Sequence, residues 1–384
     1  MGLTIETKAI KDVCSKILFA IDTEEKSVDC ETLEMYTEGE FLVLCVTNRE
    51  YYVQVKLELD KEVDFHATVD AITFVKLISQ TTTDTIDILV EDGNLIVNGN
   101  GKYTFPMVYV EENNEKRLLS LPRIELQNVT AECTVKSDSL LSILKYNSKE
   151  LSKTSQVSSL TYIQRLYYLD SRGAITFTNG AVVNDFDVDA KIKVLMSGKT
   201  VKLFKLFSKG ELVDLKLSND ADEDTIKTKI SLQTDTITLH AILPCDDTLM
   251  DRYPVSAIRG RSDKEYEYSV VLRTDDIVKA LNRISIFSGE AYDVNSLYCT
   301  FSFSNAGITI KDGLSRGVEV VKYEDGTVCP PKDNYEMLLN TKEVISTFSS
   351  YTDNPFITMK FGDSAAAVLQ TGNIKVVIPE VHLS

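Results

Sequence analysis

Apolar positions along this chain switch between two rhythms. A helical spacing of three and four gives way to alternation by two, and the switch recurs at intervals that divide the 384 residues into thirds. The clearest copies begin at Thr68 (TVDAITFVKLISQ), Met196 (MSGKTVKLFKLFSKG) and Leu338 (LLNTKEVISTFSS), each followed by a run of alternating strands. TIETKAIKDVCSKILF, ECTVKSDSLLSILKY and YSVVLRTDDIVKALNRISIF repeat a strand that feeds a helix. The spacing predicts helices over 7–19, 70–79, 137–153, 198–209, 273–287 and 341–350. Between them Ile86, Ile88 and Val90 alternate, Glu91-Asp92-Gly93-Asn94 supplies a turn, and Leu95 and Val97 resume. Ile357, Met359 and Phe361 repeat this near the end. The pattern predicts an α+β fold of three tandem units, 1–127, 128–262 and 263–384, with helices on one face of antiparallel sheets. Charge and proline mark linkers near 111–130 and 251–265.

Composition is that of a folded protein, 43% hydrophobic and 26% charged. No apolar run approaches a membrane span, and no charged-then-apolar leader opens the chain, so we expect a cytoplasmic protein with no membrane partner. Seven scattered cysteines, never as C-x-x-C, favour reduced thiols over a disulfide framework or a zinc site.

The net charge of −17 taken alone argues against a nucleic-acid partner. Its distribution changes that picture. The six predicted helices sum to +8, leaving −25 on the rest of the chain. On the helix expected over 198–209, Lys199, Lys202, Lys205 and Lys209 fall within an arc of about 120°, opposite Val201, Leu203, Phe204 and Phe207. An ordinary solvated helix face also has this look, but the acidic remainder favours a basic surface with a purpose.

Catalytic constellations are sparse. His66, His240 and His382 are the only histidines, and neither H-E-x-x-H nor G-x-S-x-G occurs. In VNGNGKY, Ile96 stands where a phosphate loop needs its first glycine and Tyr103 where it needs Ser or Thr, so a hairpin is expected. Alternation puts Asp185, Asp187 and Asp189 on one strand face with Phe186 and Val188 inward, a face that suits a divalent metal. A solvated acidic face explains the same alternation. The NDADED run at 219–224 lacks calcium-loop spacing. No cofactor and no resident metal are expected.

Several short stretches on this triplicated frame are similar to those of one family. Phe177-Thr178-Asn179-Gly180 resembles an Ala-Thr-Asp-Gly segment, and Asp251-Arg252-Tyr253-Pro254 a Gly-Arg-Phe-Pro segment. Ile374 to Val381 resembles a Val-Val-Met-Pro tail, and Ala71 to Ile78 a first-domain helix. In this order they resemble the bacterial DNA polymerase III beta subunit, the DNA sliding clamp. The resemblance implies a head-to-tail homodimeric ring that encircles duplex DNA without reading sequence. Helices line its hole and sheets form its wall, and it tethers a DNA polymerase and meets a clamp loader through short peptide motifs. Lysines opposing phosphates give weak, sequence-blind attraction, and an acidic exterior discourages binding outside.

Carried onto matching stretches, the resemblance implies DNA-facing Lys8, Lys11, Lys145, Lys149, Lys199, Lys202, Lys205, Lys209, Arg273, Lys279 and Arg283. It implies a peptide pocket at Leu160, Thr178, Gly180, Val183, Pro254, Val376 and Ile378. Ring closure would use Tyr103 and Phe105 on one side and Ile286 and Phe287 on the other. The chain departs from the family at Ala181 and Val182, where His-Arg is usual, and at Asn179 for Asp. Ile72 and Ser79 stand where basic residues are often found, which shifts DNA contact toward the second domain. Such divergence suits a phage-encoded clamp working in an infected host, beside a divergent bacterial one. Two other classes compete: a trimeric clamp of the proliferating cell nuclear antigen kind, and a metal-dependent nucleotide or nucleic-acid enzyme using the three aspartates.

Overall fold

The computed structural model describes residues 2–112, 115–149, 161–222, 225–288, 294–328, 335–362 and 366–381. The expected α+β class is what the backbone shows. The α-helices longer than one turn are α1 (Thr7–Ala20), α2 (Ala71–Gln80), α3 (Ser137–Ser142), α4 (Gly198–Lys202), α5 (Asp247–Arg252), α6 (Val255–Ser262), α7 (Thr274–Ile284) and α8 (Thr341–Ser349) among the described residues. A strand runs directly into α1, α2, α3, α7 and α8, and Ser197 alone separates a strand from α4. Asp70 caps α2 by accepting from Thr73 N at 2.7 Å, and Asn340 caps α8 by accepting from Glu343 N at 3.1 Å. The inward faces follow the helical period: α1 buries Ile10, Val13, Cys14 and Ile17.

The chain forms two compact units. The first comprises 1–141, 189–192 and 199–245. It holds a four-stranded sheet in the order Gly2–Glu6, Thr85–Glu91, Asn94–Asn98, Lys102–Pro106. Its eight-stranded sheet runs Val129–Lys136, Leu212–Asp222, Thr225–Gln233, Ile237–Ile242, Tyr51–Glu58, Phe41–Thr47, Thr32–Glu38, His66–Asp70. Helices α1 and α2 pack together, and α1 lies on Tyr51–Glu58 and Phe41–Thr47.

The second unit comprises 142–188, 193–198 and 246–384. Its eight-stranded sheet runs Lys193–Met196, Tyr167–Asp170, Gly173–Phe177, Ala181–Asp185, Ile374–Pro379, Ala366–Thr371, Phe356–Phe361, Tyr268–Arg273. Its four-stranded sheet runs Val318–Val321, Gly307–Asp312, Tyr298–Ser304, Tyr335–Asn340. Helices α7 and α8 pack together over a core that includes Phe301, Phe303, Phe348 and Phe361. Every pairing within these sheets is antiparallel. Residues of the segment 128–262 are thus divided between the two units.

Four local expectations are corrected. The helix over 198–209 is shorter: α4 passes into a 3-10 turn at Leu203–Leu206, and Lys209 lies in the bend beyond it. The helix over 137–153 is α3 followed by a π turn at Ile143–Asn147, and residues 150–153 lie outside the described residues. The segment 251–265 is no linker but mostly helix. Asp246 caps α5 by accepting from Leu249 N at 2.7 Å, and Pro254 opens α6 instead of breaking the chain. The segment 111–130 buries Leu119, Leu121 and Ile124 against Val43, Cys45 and Tyr52. Its proline and charges concealed that apolar spacing. The VNGNGKY hairpin expected on residue grounds is present, Asn94–Asn98 pairing with Lys102–Pro106.

Candidate functional site

A cavity of about 300 Å³ opens in the second unit between α6 and the sheet. The hairpin joining Gly173–Phe177 to Ala181–Asp185 supplies Phe177, Thr178, Asn179, Gly180 and Ala181; Thr178 N donates to Gly180 O at 2.9 Å to close its turn. Helix α6 supplies Ala257, Ile258 and Arg261, and the far strands supply Ala366, Val377 and Pro379. The lining is mostly small and apolar, so the space is what alanine and glycine leave unfilled.

Two devices hold α6 over the sheet. Tyr253 is buried, the single proton of its hydroxyl shared between Leu166 O at 3.1 Å and Ile175 O at 3.0 Å. Its ring stacks on Tyr168 and meets Phe177 edge-on, with centroids 5.4 and 5.0 Å away. Burial pushes its phenol far up from the ordinary value. The second device is ionic. Arg259, with a side chain 9% exposed, donates to Asp170 at 2.8 Å and to Asp185 at 3.1 Å. Lys375 bridges Asp185 at 3.0 Å and Asp263 at 2.8 Å, and Arg172 reaches Asp263 at 2.7 Å. Burial raises the Asp263 pKa, but Lys375 and Arg172 outweigh it and bring the carboxyl to about 2.

The residues expected in the pocket separate. Thr178 and Gly180 line it. Val376 and Ile378 face the other side of their strand, inside the core with Phe348 and Met359; Val377 and Pro379 take the cavity side. Strand alternation makes the choice one of parity, and apolar residues on both faces hid it. Val183 is fully buried, and Pro254 starts α6 without lining the cavity. Leu160 lies outside the described residues. Arg259 carries no sign of its role in the sequence: among the charges of RGRSDK nothing marks one arginine as buried.

The three aspartates do not form one strand face. The strand ends at Asp185, which faces Arg259 and Lys375, while Asp187 and Asp189 are exposed beyond it. Val188 is buried as expected, but Phe186 is only half-buried. The cations already beside Asp185 leave it little charge to offer a metal.

The basic residues divide into two groups. Lys199 Nζ meets Asp22 at 3.0 Å, and this carboxylate is 8% exposed. Burial opposes ionisation of Asp22, but Asn48, Glu24 N and Lys199 hold its pKa well below the usual carboxylate range. Lys145 pairs with Asp353, and Lys149 Nζ donates to Ser350 O at 2.6 Å. Arg273 pairs with Glu324 at 3.1 Å, and Arg283 grips both oxygens of Glu319 at 2.6 and 2.8 Å. Among the described residues, no carboxylate pairs with Lys8, Lys11, Lys202, Lys205, Lys209 or Lys279. Lys199, Lys202 and Lys205 keep a spacing of three, which the 3-10 turn continues to align. Lys205 sits over the Phe19 ring, 5.7 Å from its centroid.

Two sheet edges carry apolar residues. Lys102–Pro106 is an edge strand of its sheet among the described residues; Tyr103 is 37% exposed, while Phe105 is turned inward against Phe74 with centroids 5.8 Å apart. A cavity of about 500 Å³ lies between this strand and Asp70, Thr73 and Leu77 of the α2 region. In the second unit, Val318–Val321 is an edge strand among the described residues, with Val318 and Val320 exposed. Ile286 is 77% exposed, and Phe287 stands beside Gly317, where a Cβ would lie 2.7 Å from the ring. Ile286 and Phe287 are expected here from the resemblance; the two valines are not, and their alternation in VEVV is the signal that marks them.

This arrangement of strand-fed helices on antiparallel sheets is the fold of solved bacterial sliding clamps. Its likeness runs over the full chain to bacterial DNA polymerase III beta subunits. The enzyme subunit from Pseudomonas aeruginosa matches with a TM-score of 0.75 at 16% identity, covering 100% of both chains. The beta subunit from Streptococcus pyogenes gives 0.76 at 14%, again covering 100% of each. The Helicobacter pylori beta clamp, solved bound to a DNA ligase peptide, gives 0.71 at 12% with the same coverage. By sequence, no family model and no curated protein matches the chain.

Proposed function

We propose that this protein is a DNA sliding clamp, a divergent member of the bacterial polymerase III beta family, possessing three units at 1–127, 128–262 and 263–384. The observation that carries this reading is the full-length fold likeness at TM-scores of 0.71–0.76. The recurrence of strand-fed helices six times along the chain supports the threefold repeat. A homodimeric ring would bring the edge at Tyr103 against the edge at Val318 and Val320, with Ile286 and Phe287 in the contact. DNA attraction falls to the lysines that no carboxylate pairs with among the described residues, chiefly Lys202, Lys205 and Lys279 with Lys8, Lys11 and Lys209. The paired residues Lys145, Lys149, Lys199, Arg273 and Arg283 contribute less because each faces a neighbouring acceptor. The role is one of tethering, not catalysis, and the cavity under α6 receives peptide segments of a polymerase or loader in the cytoplasm of a bacterial or phage-infected cell.

The test joins mass to topology. Light scattering should give twice the 43.0 kDa chain mass. Protein loaded on a nicked circular duplex should stay bound and be lost when the circle is cut. A monomer or trimer, or equal retention on circular and linear DNA, would overturn the proposal.

A further inference from the structure

The cavity under α6 has a rim of unequal charge. On α6, Arg261 is exposed, and among the described residues no carboxylate pairs with it. Its neighbours behave differently: Arg259, Arg172 and Lys375 are each committed to Asp170, Asp185 or Asp263. Arg261 is therefore a cation left over beside an apolar cavity, on a chain whose net charge is −17. Across the rim, Asn179 Nδ2 donates to Glu343 Oε1 at 2.7 Å, so that side presents acceptors. The volume, about 300 Å³, is at the small end for ligand sites and fits a few side chains better than a cofactor.

We propose that Arg261 selects the partner: a short peptide segment seats apolar side chains on Ala181, Ala257 and Val377 and places an acidic flank beside Arg261. This rests on the reading of the cavity as a peptide site. The guanidinium offers a charge-assisted, two-pronged contact to a carboxylate at the edge of an apolar surface. The Asn179–Glu343 side disfavours a second acidic flank there, so the charge order along the peptide sets its direction on the protein.

The experiment uses the full chain and fluorescein-labelled eight-residue peptides that share a Leu-Leu-Phe core. The core is flanked at its N-terminal or C-terminal side by Asp-Asp, Ser-Ser or Lys-Lys, and binding is read by fluorescence anisotropy. We expect Asp-Asp on one side to bind about tenfold more tightly than Lys-Lys on that side, about one charge-assisted contact. Arg261→Glu should invert that order, and Arg261→Ser should level it. Ala257→Trp, at an exposed position on the wall, should abolish binding of every peptide. Binding that ignores the flank, or a preference that survives Arg261→Glu, overturns the inference and leaves the cavity reading standing. Failure of all peptides to bind, or binding that survives Ala257→Trp, overturns the cavity reading and this inference together.

Discussion

In the first unit, Tyr51–Glu58 joins Ile237–Ile242 at the middle of the eight-stranded sheet; in the second, Ala181–Asp185 joins Ile374–Pro379 at the same place in the strand order. Each joint is covered. Over the first lies the segment 119–124, which drives Leu119, Leu121 and Ile124 into Val43, Cys45 and Tyr52 and crosses the joint through Ile124 O, bonded to the His240 ring. Over the second lies α6. Both covers are pinned by ions: Lys229 meets Asp220 at 2.9 Å and Glu125 O at 2.8 Å beneath the first, and Arg259 meets Asp170 and Asp185 beneath the second. Filling is what differs. Leucine and isoleucine close the first joint, whereas Ala181, Ala257, Ala366 and Gly180 leave the second open by about 300 Å³. Side-chain size at the cover, on one sheet plan, decides whether a joint is core or pocket.

The largest break in this comparison should come from the ionic pin of α6. Arg259→Met removes one buried cation from two carboxylates and keeps most of the packing. Loss of one member of a buried pair costs about 3–5 kcal/mol. Denaturant unfolding of the variant should show a loss of that order, followed by the signal of the second unit. A change below about 1 kcal/mol would mean that Arg259 is solvated and that Tyr253 alone holds the helix.

Next in size is Leu121→Ala in the closed joint. Leu121 is 2% exposed, and truncation of a buried leucine costs about 2–5 kcal/mol, more when the hole cannot collapse. The expected result is destabilisation with no effect on peptide capture. If the variant instead gained affinity for the peptides that bind under α6, the two joints would be more alike than their fillings indicate.

The fold was legible because its signal is periodic. The helices that start at Thr7, Ala71, Thr274 and Thr341 begin within one residue of the positions that apolar spacing predicts, 7, 70, 273 and 341. The sites were less legible for specific reasons. Val376 and Val377 are equally apolar, so their parity is settled only by which strand lies beside them, and Ala181 pairs with Val377. Arg259 and Arg261 are two positions apart in one basic run, yet one is buried on two aspartates and the other is exposed at a rim. The four aligned lysines looked alike in sequence, but Asp22, far from them along the chain, neutralises Lys199. Long-range partners of single charges leave no local pattern.

The two pins should also differ in acid. Asp220 and Asp263 both have pKa values lowered to about 2: burial raises each, and Lys229 with Asn128 N and Gln127 N, or Lys375 with Arg172, outweighs it. A lowered folded-state value stabilises above the unfolded carboxylate pKa of about 3.9 and is lost as pH falls through the folded value. Asp220 is 3% exposed and Asp263 34%, so solvent screens the latter more. Asp220→Asn should therefore flatten the fall in melting temperature between about pH 4 and pH 2 more than Asp263→Asn does. Equal flattening would show that exposure does not separate the pins.

The smallest expected effect gives the sharpest test, because it compares adjacent residues. Val376 is 2% exposed and lies in the core with Phe348 and Met359; Val377 is 6% exposed and lines the cavity beside Ala181. Shortening either to alanine removes the same two methyl groups. At Val376 the loss leaves a hole among packed neighbours and should cost about 2 kcal/mol. At Val377 it merely widens a space that is already open, so the loss should stay below about 1 kcal/mol, while affinity for apolar-cored peptides falls several-fold. Paired melting and anisotropy measurements read both. If Val376→Ala weakened binding and Val377→Ala spared it, the strand would present the opposite face to the cavity, and the family-based placement at Val376 and Ile378 would be restored.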